Sequence, residues 1–176
     1  MYPFVRLGIE IALARGAPPL PIDGVHVSSH TCLPWDLDLW WELNNGRTLS
    51  LYDLGRIPLM MRTGIMAALR RNGWGVTIAG SAVRYRRRVR AFHRVELRSA
   101  TIGRDARFFY IHHAMWRHGD ALSAGVFRAA VTGPDGIVPT DRLAAALGAP
   151  DWSPPLPDWV AAWSAAEQIR PWPPVP

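Results

Sequence analysis

The sequence has no lysine. All 20 of its basic residues are arginine. Arg and Lys differ physically, but proteins normally use both, so the bias reads as genome composition. Cysteine is nearly absent too. Cys32 stands alone, which excludes an internal disulfide and a structural zinc site built on thiolates, and makes a reducing cytoplasm the expected setting. No uncharged apolar run reaches the roughly 18 residues needed to span a bilayer. The partly apolar start, MYPFVRLGIEIALARGAPP, is interrupted by Arg6 and Glu10 and is followed by no signal-peptide cleavage pattern. No internal repeat is present. Of the six histidines, His93, His112, His113 and His118 have no ligand spacing, so no metal is expected and these four read as ordinary sheet residues.

What is present suits one domain. A chain of 176 residues with 49% hydrophobic content can bury a core. Its net charge of +6 suggests an anionic ligand, surface or partner. Residues 1–24 read as a short helix followed by a Pro/Gly linker. The helix at 1–15 is expected to pack on its own domain, with weak membrane-surface contact as the alternative. Residues 25–33 alternate as a strand. Beyond the acidic, tryptophan-rich segment WDLDLWWELNN, apolar residues recur at helical spacing from Asn45, with Asn44 or Asn45 as N-cap. Pro58 is expected to kink or restart this helix, and Asn72-Gly73 to end it. The period then becomes two, giving four strands at 75–89, 92–103, 107–117 and 121–133, with turns at 103–105 and 118–120. A short helix follows, with Thr140 as its expected N-cap. The remainder, 149–176, is a Pro/Trp-rich extension with one helix near 157–169. Its Trp152, Trp159, Trp163 and Trp172 are expected to cover an apolar patch of the domain or a dimer neighbour. Strand, long helix and antiparallel meander make an α+β layer architecture.

The residues at the strand-to-helix junction carry a resemblance. Asp36, Asp38, Asn44 and Asn45 in DLDLWWELNN match the pattern Asp-x-Asp-x-x-Gly-His-x-Asn-Asn of the hotdog-fold acyl-CoA thioesterases of the 4-hydroxybenzoyl-CoA thioesterase type. The likeness spans roughly 25–133, with 25–148 as the domain, and is nearest the subgroup of thioesterase superfamily member 6. It implies a curved antiparallel sheet wrapped around a long central helix. It also implies a homodimer or homotetramer, and a coenzyme A or acyl-carrier-protein thioester as substrate without a bound cofactor. By the motif, Asp38 occupies the catalytic carboxylate position. The backbone of Asn45, Gly46 and Arg47 at the helix start would polarise the thioester carbonyl.

This sequence departs from the pattern at Trp41, where the family has Gly, and at Glu42, where it has His. Glu42 is therefore a second catalytic candidate, and Trp41 a candidate for filling part of the acyl pocket. Tyr52 and Asp53 are further substrate-side candidates, although a core role for Tyr52 and an Asp53–Arg56 ion pair are the simpler readings. In RYRRRVR, a strand would place Arg84, Arg86 and Arg88 on one face, where they are candidates for the phosphates of coenzyme A. A charge-protected edge is the alternative. The run lacks the Gly and aromatic signature of an RNA-binding sheet, so nucleic acid is not expected. A non-catalytic acyl-CoA or lipid binder, and a peripheral membrane scaffold, are the competing functions.

Overall fold

The computed structural model describes residues 2–171, 173 and 174; Trp172 lies outside them. Helix α1 (Phe4–Gly16) leads to strand β1 (His26–Thr31), helix α2 (Asn45–Arg62) and helix α3 (Ile65–Asn72). The meander is β2 (Gly75–Tyr85), β3 (Arg94–Arg104), β4 (Phe108–Arg117), β5 (Asp120–Gly133) and a three-residue β6 (Gly136–Val138). Helices α4 (Thr140–Ala146) and α5 (Asp158–Ile169) close the chain. The sheet is antiparallel, in the order β1-β3-β4-β5-β2, with β6 beside β5. Irregularities at Ile78/Gly80 and Thr101/Gly103 bend it, as extra residues in a strand do.

Alternation decides what each face of the sheet buries. Leu97, Met115 and Phe127 pack with Leu51, Tyr52 and Leu54 of α2 in one cluster. The opposite parity, Tyr110 and Val126, packs against Val160 and Trp163 of α5. The central strands are therefore covered on both faces, by α2 on one side and the C-terminal extension on the other. Trp152 stacks on Phe109, and the Trp163 ring meets Tyr110 edge-on, so these two rings cover the sheet as expected. Trp159 stays half exposed beside His112.

At Gly55, α2 lies tight against the sheet. A methyl group there would press into the Ser99 hydroxyl. Behind Ser99 lies His113, fully buried, with its Nδ1 2.7 Å from Ser99 Oγ and its ring stacked on Tyr52 at 5.2 Å. Burial holds the His113 ring well below the usual histidine pKa.

Three local expectations need correction. Pro58 does not restart the helix: α2 runs as one element from Asn45 to Arg62. The proline forfeits one backbone bond, but the buried residues around it, Leu54, Leu59 and Met60, hold the helix to the sheet. The break comes at Gly64, in the left-handed region at φ 78°. Thr140 does not cap α4. It is the first helical residue, and its buried hydroxyl donates to the Asp105 carbonyl in the β3–β4 turn. Finally, β2 stops at Tyr85, because the N–H groups of Arg86 and Arg87 both turn onto the Leu122 carbonyl. Arg86 and Arg88 therefore lie in a loop and do not share a strand face with Arg84.

α1 is held by polar contacts. Arg6 pairs with Asp36 at 2.8 Å, and Glu10 lies 3.8 Å from His30. Burial pushes His26 and His30 down to about 4 and raises Glu10, so the His30–Glu10 contact joins two groups biased toward neutrality. The depressed histidines favour the folded state above pH 6.5, and that contribution is lost as pH falls toward 4. Glu10 acts in the opposite sense and offsets part of it. Urea titrations between pH 7 and pH 5 are expected to show a falling midpoint, reduced in slope by His26→Gln/His30→Gln. A midpoint constant over that range would refute the assignment. No helix among the described residues is long and apolar enough to cross a membrane.

Candidate active site

The site begins with the cap of α2. Asn44 has extended backbone, and its side-chain oxygen accepts the Arg47 N–H at 3.1 Å while its carbonyl accepts the Thr48 N–H. The N–H groups of Asn45 and Gly46 precede the first intrahelical bond. They give this helix end the partial positive character that favours a developing oxyanion.

Ahead of the cap, the chain makes a helical turn at Pro34–Asp36 and then a small hairpin. Leu37 bridges Leu43, the Asp38 N–H donates to the Glu42 carbonyl, and the Trp41 N–H to the Asp38 carbonyl. Trp41 closes the turn at φ 58°. Left-handed backbone suits Gly, which gives a physical reason for the glycine in the motif that this chain replaces. Asp36 is 1% exposed and structural. It accepts the Leu33 N–H and binds the guanidinium groups of Arg6 and Arg47, the latter at 3.1 Å. Asp38 is half-buried, and its Oδ1 accepts the Trp40 N–H at 2.8 Å. That bond fixes the carboxylate at the start of the hairpin turn, beyond the Leu37–Leu43 bridge, and Asp38 is not among the residues that line the hollow beside the helix start.

Beside the helix start is a hollow of about 170 Å³ lined by Glu42, Asn45, Thr48, Tyr85, Ser123 and the Arg86–Arg88 segment. Glu42 meets Arg88 at 2.9 Å. The Leu43 N–H donates to the Val89 carbonyl, fastening the hairpin to the arginine loop. The Tyr85 hydroxyl donates to the Asn45 carbonyl at 3.3 Å. Sequence residues far apart thus meet here: Glu42 and Asn45 of the motif, and Arg86 and Arg88 of the basic run.

Other candidates are placed elsewhere. Tyr52 is completely buried, its hydroxyl bonded to Ser123 Oγ at 2.8 Å, so it is a core residue and not a wall of the hollow. Trp41 projects into solvent. Gly46 and Arg47 line a separate shallow surface with Trp35 and Ser50. Asp53 pairs with Arg56 and accepts the Tyr2 hydroxyl at 3.1 Å. Arg84 is exposed near the end of β2. Thr48, Tyr85 and Ser123 escaped sequence reasoning. Tyr85 lay in view inside the arginine run, but its role depends on where β2 ends. Ser123 is brought in only by the pairing of β5 with β2.

Between α2 and the start of β2 runs an apolar groove of about 260 Å³, lined among others by Ile57, Met60, Met66, Val76 and Ile78, with Asp53 and Arg56 at its lip.

Comparison with known proteins bears on the fold and the family. Protein THEM6 of Xenopus laevis is 31% identical over 109 residues, which are 61% of this chain and 53% of that protein. The chain thus spans about half the length of this curated relative. The probable thioesterase YbaW of Escherichia coli superposes with a TM-score of 0.65 at 11% identity, over 69% of this chain and 96% of that one. The DHNA-CoA thioesterase of Staphylococcus aureus gives 0.60 at 13% identity, over 82% and 92%. These likenesses establish the hotdog fold, an antiparallel sheet curled about α2. The model of the thioesterase-like superfamily matches residues 32–164, and the chain belongs to that family.

Proposed function

We propose that this chain hydrolyses acyl-CoA thioesters. One observation carries the reading: the start of α2 opens beside a hollow whose far wall is the arginine loop. A carbonyl at the helix start and phosphates at the arginines are two groups of such a substrate, joined by its flexible pantetheine arm. Asp38, already oriented by the Trp40 N–H, is the general base. It takes a proton from water as the water oxygen bonds to the carbonyl carbon. The N–H group of Asn45, the residue of the helix start that borders the hollow, holds the oxyanion. Collapse breaks the C–S bond, and the leaving thiolate takes up the proton. Arg86 and Arg88 bind coenzyme A phosphates, with Arg88 exchanging Glu42 for phosphate. The groove between α2 and β2 takes an apolar acyl group.

Two copies are proposed to pair. β2 is the edge of the sheet, is exposed along most of its length, and carries no charge before Arg84, which leaves an open ladder.

The test is thiol release from acetyl-, octanoyl-, palmitoyl- and benzoyl-CoA. Turnover of an apolar acyl group supports the reading. If acyl-CoA raises the melting temperature but no thiol appears, the chain is a binder on a thioesterase fold. The Trp41 and Glu42 replacements favour that second reading.

A further inference from the structure

The surface outside the hollow has a feature that hydrolysis does not use. α1 is turned inside out. Its charged Arg6 and Glu10 face inward, toward Asp36 and His30, while Phe4, Val5, Ile9 and Leu13 face solvent, Val5 at 80% and Leu13 at 63% exposure. Glu10 is the only acid on this helix, so the outward face carries no negative charge. At the start of α1, Tyr2, Phe4 and Val5 join Leu33 and Trp35 around one apolar hollow. Trp35 leads into the hairpin, whose tip exposes Leu39, Trp40 and Trp41 at 91, 78 and 76%. The fastened arginine loop next to it exposes Arg86, Arg87, Arg88 and Arg90 and ends at Phe92, 71% exposed.

Two of these rings are held at a conformational cost. Trp41 and Phe92 take φ values of 58° and 63°, a region disfavoured for bulky L-residues. Two neighbouring loops thus keep a strained backbone while turning a large ring to solvent. Such strain persists where the surrounding structure enforces it, often at functional surfaces.

We infer that this face rests on an anionic phospholipid bilayer. Tryptophan and phenylalanine rings settle at the boundary between headgroups and acyl chains. The exposed arginines beside them match lipid phosphates. An α1 face free of acids buries at the same boundary. A second copy is a poorer occupant, since a two-fold contact across this face brings its arginine loops toward one another. On the hydrolysis reading, the same placement puts the hollow next to the surface where amphiphilic acyl-CoA gathers, but the inference does not need that reading.

The experiment is cosedimentation with vesicles of phosphatidylcholine alone and of phosphatidylcholine with phosphatidylglycerol, alongside tryptophan emission and light scattering. The wild type is expected to pellet with the mixed vesicles, weaken with salt, and shift its emission to the blue. Trp41→Gly/Phe92→Gly is expected to lower partitioning at least tenfold while keeping or raising the melting temperature, because glycine accepts both φ values. Val5→Ser/Ile9→Ser/Leu13→Ser, all at exposed positions, is expected to act in the same direction. A wild type that stays in the supernatant overturns the inference. So do variants that bind as the wild type does, or equal binding to both vesicles. If the Gly pair turns a dimer into a monomer and the wild type never pellets, the face is a subunit contact. Thioesterase activity is assayed separately on soluble acyl-CoA, so either conclusion can fail alone.

Discussion

Asp38→Asn is expected to lower kcat for acyl-CoA hydrolysis by about 10²–10⁴-fold, the usual contribution of a positioned general base. Asparagine keeps an oxygen for the Trp40 N–H, so the hairpin survives and the melting temperature should change little. The loss therefore reports chemistry, with KM nearly unchanged. Glu42→Gln separates the two acids. Glu42 lines the hollow and holds Arg88, so on the proposed reading its charge opposes an anionic substrate and occupies an arginine that would bind phosphate. Its removal should lower KM roughly threefold, the scale of one partly exposed charge interaction, and leave kcat in place. If Glu42→Gln abolishes turnover and Asp38→Asn does not, the base lies four residues further along the hairpin. If neither substitution matters, the acids serve the hairpin alone.

The second large effect is on stability. Asp36→Asn is expected to destabilise the protein by about 3 kcal/mol, in the range for removing one partner from a buried ion pair. Asp36 neutralises Arg6 of α1 and Arg47 of α2 at once, and the substitution leaves two largely buried guanidinium groups around a neutral amide. Both arginines keep some access to water, which holds the figure below the top of that range. A chain of this size should lose roughly 6–12 °C in Tm. Arg6→Leu/Asp36→Leu should cost less than the two single changes summed, because it removes Arg6 and Asp36 together and leaves Arg47 as the one charge of the trio. A loss under about 1 kcal/mol would show that α1 is held by other contacts.

Much of the fold was legible because short-range chemistry decides it. The switch from helical to two-residue periodicity at Trp74 marks the start of the meander. Asn44 caps α2 because an Asn before an apolar helical run has one good use for its side chain. The misreadings came where long-range contacts win. Pro58 sits within α2 because the sheet holds the helix around it. The arginine run leaves β2 because the Leu122 carbonyl draws two successive N–H groups to itself. The inversion of α1 had no local signature, since its inward partners, Asp36 and His30, lie 30 and 20 positions away. For the site, the motif pointed to the helix start. The partnership of Glu42 with Arg88 needed the fold, because a hairpin and a loop more than forty residues apart must be laid side by side.

The close approach at Gly55 makes the sheet a fulcrum for α2. Asn45 lies ten residues before it, about 15 Å along the helix axis. Over that lever arm, a tilt of only about 4° swings the helix start by about 1 Å, enough to impair a catalytic geometry by about 10²-fold. A methyl group at Gly55 that displaced the helix, and did not merely turn the Ser99 hydroxyl aside, would supply such a tilt. On the proposed reading, a residue that touches no group of the substrate thus sets the bearing of the helix start.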